Sequence, residues 1–505
     1  MLGQARQQWT ERLGRSHDSV PILSQPCFFG HLQAAEQPNF ILINVDDQGY
    51  ADTGPYGSNN ATPNLDRMAK EGLKLTSHYA APVCSPSRAA MMTGCYPKRV
   101  LPTPHVLFPA AEVGLNPNEI TVAEVLKEQG YKTACIGKWH LGDQKEFLPT
   151  SQGFDSYFGI PYSNDMGMAS EGSKSNPGQS TKAGPAAKKK QQQTPKDETG
   201  LRGNTQPPLP LLENDQVVER VKVEGQHSIT RRYTQRALDF IRASKDQPFF
   251  LYLPHTAVHF PLYPDPGFMG KSPNGLIGDW AQELDASTGS ILDLLRELKL
   301  DGKTLVIYTS DNGGALNHGS NNQPLRGSKG STLEGGIRVG TLAWWPGKIP
   351  AGSSTGAITS HMDWLPTFAA LAGASAPADR QIDGLNLTPL LFGRVADFKA
   401  REAFYYYRGF SLEAVRSGPW KLHLMNGELY HLEKDIGEAR NVAADEAEVV
   451  KRLRSLAEVM DADLGREGAS APGIRPLGRV AEAQPLIGLD GQIRSDANAR
   501  MKVLP

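Results

Sequence analysis

The chain has 505 residues, a formal net charge of −1, 39% hydrophobic and 21% charged residues. That length suits one large α/β domain with a smaller one beside it. The near-neutral balance gives no electrostatic ground for nucleic-acid binding, no stretch is apolar and long enough to span a bilayer, and four cysteines (Cys27, Cys84, Cys95, Cys135) are too few for a disulfide framework.

Residues 1–37 are polar, with a broken apolar patch at 20–29. They lack the continuous apolar core of a secretory signal and read as an extension of low order. The run FILINV at 40–45 is short and almost wholly apolar, as a strand buried on both faces would be. Thr62-Pro63 opens a helix that Gly72 closes. PVCSPSRAAMMTG at 82–94 follows. There Ser85 suits a helix cap, Pro86 its first position and Gly94 its end. Cys84 then sits at a helix N-terminus, where unpaired N–H groups favour negative charge and cysteines are often reactive.

A helix over 121–129 and strands over 133–136, 249–253 and 305–309 come next, with longer helices over 229–243 and 279–298. This alternation predicts an α/β fold with a mixed, mainly parallel sheet sandwiched by helices. The segment 170–210, with Lys188-Lys189-Lys190, Gln191-Gln192-Gln193 and many Ser, Gly and Pro, reads as a mobile, solvent-exposed insertion in a main domain over 38–400. From about 401 to 505 the texture changes to short strands at 403–407, 414–416 and 420–425, a helix over 446–460, and an irregular tail. These predict a small C-terminal α+β subdomain with an antiparallel sheet.

The four buried-strand candidates end alike. They run into Asp46-Asp47, Gly137-Lys138-Trp139-His140, Pro254-His255 with His259 behind it, and Ser310-Asp311-Asn312. In open α/β sheets, ligands bind beyond the carboxyl ends of the strands. Asp46, Asp47, Asp311 and Asn312 are oxygen donors, and carboxylates crowded together call for a cation; hard oxygen ligands suit Ca²⁺ or Mg²⁺ better than zinc. Arg88, one helical turn after Cys84, joins Lys138, His140, His259 and Lys329 as a cationic half suited to an anionic ester. Each of these residues taken alone is an ordinary turn or surface residue.

Cys84-Ser85-Pro86-Ser87-Arg88 with Met92-Thr93-Gly94 resembles the signature of the type I sulfatases, in the alkaline-phosphatase superfamily. The stretch from Gly130 to Gly142, SDNGG at 310–314 and LRGSKGSTLEGGIRV at 325–339 match the same family. GIPYSND at 159–165 and HFPLY at 259–263 are most similar to its arylsulfatase A and galactosamine-6-sulfatase branch. The similarity runs from about 39 to about 473.

The resemblance implies an alkaline-phosphatase-like fold. It also implies hydrolysis of sulfate monoesters of a carbohydrate or aryl alcohol through a covalent sulfo-enzyme intermediate. Cys84 would be the precursor of Cα-formylglycine, made by a maturase, whose hydrate is the nucleophile. One Ca²⁺ would be held by Asp46, Asp47, Asp311, Asn312 and the modified Cys84. Arg88 would hold the hydrate; Lys138 and Lys329 would bind sulfate oxygens. His259 would contact sulfate and protonate the leaving alcohol, with His255 as the alternative acid. His140 would be the base for sulfate release, and Ser163 a further sulfate contact. The family also implies a periplasmic or secreted protein. Two rivals keep the chemistry open: a phosphate or phosphonate ester hydrolase, and a calcium-dependent binder of sulfated glycans using Lys188–Lys190.

Overall fold

The run at 40–45 is apolar because both faces of its strand are covered. In the structure, a computed structural model describing residues 37–179 and 197–498, strand β1 (Asn39–Val45) is buried at every position. Phe40 and Leu42 pack with Met91, Leu126 and Phe368 on one face; Ile41 and Ile43 pack with Met68, Tyr233, Trp280 and Leu284 on the other. Burying each such side chain contributes roughly 1.5–3 kcal/mol. The N-terminal extension to residue 36 and the lysine run at 188–190 lie outside the described residues.

The other strands of the large sheet are β2 (Leu73–Tyr79), β3 (Lys132–Ile136), β4 (Ser156–Gly159), β5 (Leu209–Glu213), β6 (Gln216–Val221), β7 (Phe249–Pro254), β8 (Thr304–Ser310), β9 (Arg338–Trp344), β10 (Ser353–Thr355) and β11 (Thr359–Ser360). The sheet has 11 strands in the order β10-β2-β9-β8-β1-β7-β3-β4-β5-β6, with β11 also pairing β2. From β8 through β1, β7 and β3 to β4 the pairing is parallel, while β9 is antiparallel to both its neighbours and β5 and β6 close the far edge antiparallel. The predicted strands at 40–45, 133–136, 249–253 and 305–309 are therefore the adjacent central strands β1, β3, β7 and β8.

The main helices are α1 (Pro63–Glu71), α2 (Cys84–Thr93), α3 (Val122–Glu128), α4 (Val223–Ser244), α5 (Gly275–Glu297), α6 (Trp364–Leu371) and α7 (Ala447–Leu464). Helices α2, α3 and α6 cover one face of the sheet; α1, α4 and α5 cover the other. This is the sandwich of an alkaline-phosphatase-like fold. Among the described residues, no helix is long and apolar enough to cross a membrane.

Strands β12 (Phe404–Arg408), β13 (Ser411–Ser417), β14 (Trp420–His423) and β15 (Leu429–His431) form an antiparallel sheet that packs under α7. The tail beyond α7 returns to the main domain. Gly478–Arg479 pairs with Val113–Gly114, and Leu486 and Ile487 join the core of the main domain. Of the segment 170–210, residues 197–205 are laid against the main domain, where Phe108 N–H donates to the Thr199 carbonyl at 2.7 Å and the Arg202 guanidinium lies over the Phe108 ring. Leu209, at the end of that segment, already opens buried strand β5.

Candidate active site

Because β8, β1, β7 and β3 are parallel neighbours, their polar sequels emerge at one edge of the sheet. The ladder continues past each strand: Asp311 N–H donates to Val45 O, Lys138 N–H to Pro254 O, and His255 N–H to Asn44 O. Gly137 is required there. Its φ is +136°, and a Cβ at this position would lie 1.8 Å from the Pro254 carbonyl oxygen. Asp47 and His140 are non-glycine residues at φ 58° and 66°. Left-handed backbone is uncommon at non-glycine residues.

Helix α2 begins two residues earlier than its sequence suggests. Cys84 is its first residue, Val83 its cap, and Ser85 caps nothing; its Oγ instead accepts from Leu107 N–H at 3.1 Å. Gly94 ends the helix at φ 71°, as predicted. Cys84 Sγ is buried, 3.5 Å from both Asp46 Oδ1 and Lys138 Nζ and 3.6 Å from Lys329 Nζ. The helix N-terminus does not decide its ionisation. Burial, with Asp311 and Asp46 alongside, pushes the thiol well above its ordinary value. An unmodified Cys84 is therefore a poor thiolate nucleophile.

Around it three carboxylates face three cations. Arg88 Nη2 spans Asp46 Oδ2 at 3.1 Å and Asp311 Oδ2 at 2.8 Å, with none of the three side chains exposed. Lys138 pairs with Asp46, and its Nζ lies 3.1 Å from Ser163 Oγ. Lys329 Nζ is 2.7 Å from Asp47 Oδ1. Burial pushes Asp46 up, but Lys138, His259 and Arg88 outweigh it and hold the carboxyl well below its usual range. Asp311 goes the other way, raised by burial and by Asp46. Asn312 Nδ2 donates to Asp47 Oδ1 at 2.8 Å, while its buried Oδ1 has no partner. Asp46, Asp47, Cys84 and His259 each offer one atom within 4.8 Å of the others. An orphaned amide oxygen beside close carboxylates fits a hard cation.

The histidines separate. His259 enters the site, with Nε2 3.7 Å from Asp47 Oδ2 and Nδ1 3.2 Å from Ser163 Oγ. His255 does not. It is buried behind β7, with Nε2 3.5 Å from Ser287 Oγ, and burial pushes it down to about 3. His140 Nε2–H donates to the Leu107 carbonyl at 2.8 Å, leaving Nδ1 bare, buried and unpartnered. Burial and then Lys138 hold it well below its ordinary value, so the ring is neutral with a free lone pair.

Sequence reading missed the frame around this set. Lys329 rides on a loop clasped from both sides. Gly330 N–H donates to the carbonyl of Pro82, two residues before Cys84, at 2.8 Å. Lys421 Nζ of the C-terminal sheet donates to Thr332 O at 2.8 Å and pairs with Glu334 and Glu438. No local pattern announces a lysine on β14 as part of the site's support.

Comparison with known proteins matches these features. The Sulfatase family profile covers residues 38–374, and that of the N-sulphoglucosamine sulphohydrolase C-terminal region covers 329–462. The chain is 38% identical over 417 residues to N-acetylgalactosamine-6-sulfatase of Canis lupus familiaris, covering 78% of this chain and 73% of that one. It is 40% identical over 418 residues to arylsulfatase A of Bos taurus, covering 79% and 77%. Its structure is similar to the crystal structure of Ps i-CgsB in complex with k-i-k-neocarrahexaose, with a TM-score of 0.71, 31% identity and coverage of 86% and 95%. With the buried cysteine, carboxylates and lysines drawn to one sheet edge, these matches identify the chain as a sulfatase, a member of the type I sulfatase family in its arylsulfatase A and galactosamine-6-sulfatase branch.

Proposed function

We propose that this sulfatase cleaves sulfate monoesters of a carbohydrate or aryl alcohol with a Cα-formylglycine made from Cys84, and that one Ca²⁺ is held by Asp46, Asp47, Asp311, Asn312 and the modified residue 84. The observation that carries the reading is the ring around Cys84 Sγ: a carboxylate and two lysines within 3.5–3.6 Å, at a position where the thiol itself is kept protonated. When present, the hydrated aldehyde supplies a nucleophilic hydroxyl with a carbonyl exit for sulfate, and the cation polarises the ester.

The chain's own residues divide the remaining work. Arg88 holds Asp46 and Asp311 together through Nη2. Lys138 and Lys329 flank residue 84 from two sides and offset charge on the sulfate oxygens. Ser163 lies between Lys138 and His259 and orients a further sulfate oxygen. His259, partly open to the mouth, protonates the leaving alcohol. His140, neutral and with Nδ1 free, takes a proton as sulfate departs. Cys84 is 1% exposed, so the maturase must meet it before the chain closes. The family reading also puts the chain in the periplasm or outside the cell.

Turnover of nitrophenyl sulfate against its phosphate and phosphonate analogues tests the reaction class. Sulfate is the preferred ester; a preference for phosphate or phosphonate would overturn the reading. Lys329→Ala and Asp311→Ala each lower kcat/KM for the sulfate by about 10²–10³-fold, the cost of losing one group aimed at developing charge. Turnover near wild type in either variant would remove that residue from the site.

A further inference from the structure

Two buried histidines join the edge of the sheet to the turn that carries Asp311 and Asn312. Thr359 Oγ1 lies 2.9 Å from His78 Nδ1, His78 Nε2 lies 3.0 Å from His361 Nδ1, and His361 Nε2 lies 3.0 Å from the Ser310 carbonyl oxygen. His78 and His361 are 0% and 1% exposed. The last contact fixes the order of protons. A carbonyl can only accept, so His361 carries its proton on Nε2 and accepts at Nδ1. His78 then carries its proton on Nε2 and accepts from the Thr359 hydroxyl. Both rings are neutral, and neither can reverse alone. Burial, the leading cause for both, pushes His78 well below its ordinary value and His361 down to about 3.

The gripped carbonyl belongs to the turn that presents the site. Ser310 directly precedes Asp311, and its Oγ accepts from Gln48 N–H at 3.1 Å and donates to Asn312 O at 2.9 Å. The histidine chain holds this turn from behind, where no solvent competes. We propose that His78 and His361 are positioning residues for the cation site, holding the 310–312 turn so that Asp311 and Asn312 present their oxygens together. This rests on the reading of Asp311 and Asn312 as ligands. Groups behind metal ligands commonly matter nearly as much as the ligands.

The test is calcium titration calorimetry on the full-length chain, comparing wild type, His361→Leu and His361→Gln. Leucine removes the donor and the acceptor, whereas glutamine keeps one of each. His361→Leu weakens calcium binding by about 10–100-fold, and His361→Gln recovers most of the loss. Wild-type affinity in the leucine variant would overturn the proposal. So would equal loss in both variants, the mark of mere packing. A wild-type chain that binds no calcium would instead overturn the ligand reading underneath. Should the leucine variant fail to fold, nitrogen-15 NMR of the histidine-labelled wild type decides. Both rings appear as Nε2–H tautomers that do not titrate between about pH 5 and 8; an Nδ1–H tautomer or a ring titrating there refutes the chain of donors.

Discussion

Cys84→Ala abolishes multiple turnover of sulfate esters, lowering kcat by about 10⁴–10⁶-fold, the range expected when a nucleophile is removed. The fold survives. The thiol is held neutral, so alanine leaves no charge stranded, and Arg88, Lys138 and Lys329 keep their carboxylate partners. Cys84→Ser is the sharper variant. Serine restores an oxygen at the start of α2 but has no carbonyl to re-form, so it releases at most one alcohol per chain. Stopped assays with nitrophenyl sulfate at high enzyme concentration read this directly. Sustained turnover in either variant would mean that residue 84 is not the nucleophile's source.

Lys421→Met costs about 3–5 kcal/mol of stability although it lies outside the catalytic set, because it strands buried carboxylates. Lys421 Nζ is fully buried, 2.9 Å from Glu334 Oε1 and 2.9 Å from Glu438 Oε1. Glu334 also receives the Tyr79 hydroxyl at 2.6 Å and the Tyr406 hydroxyl at 3.0 Å. Burial pushes the Glu334 carboxyl up, but Lys421 and Arg338 outweigh it and hold it low. A carboxyl depressed by folding stabilises the protein above its unfolded value of about 4.3 and loses that contribution as pH falls. The gap between wild type and variant is thus widest near neutrality and narrows toward about pH 3. Chemical denaturation across this range checks both size and sign. Adding Glu334→Gln and Glu438→Gln restores only part of the loss, since it neutralises the stranded carboxylates but takes the partner Glu334 from buried Arg338 and Arg416. Activity falls in the single variant too, because Lys421 also holds Thr332 on the Lys329 loop.

Much of the candidate site was legible in the chain because its logic is local. Parallel strands buried on both faces leave unbroken apolar runs, and the polar residues after them at 46–47, 138–140 and 311–312 stand out by contrast. Ser163 came from family resemblance, as did the choice of His259 over His255, which rested on the FPL that follows His259. Geometry separates them: His255 is drawn back beneath α5 by Ser287, and the chain then turns to deliver His259. The start of α2 lies two residues before the expected one because Ser and Pro favour helix starts in general, whereas here Ser85 is claimed by Leu107 N–H. The pairings that hold the site together were invisible for another reason. His78 and His361 lie 283 residues apart, and Lys421 lies 87 residues from Glu334. Such contacts are created by tertiary packing and leave no periodic trace. The same holds for the tail, whose Leu486 and Ile487 are buried in the core of the main domain.

The central claim is that Cys84 is a precursor of the catalytic aldehyde. Mass spectrometry of the peptide containing residue 84, from protein made in a host with an active maturase, tests it most directly. The account predicts formylglycine or its hydrate at that position. An intact thiol there, with the same maturase shown to convert another sulfatase, would contradict it.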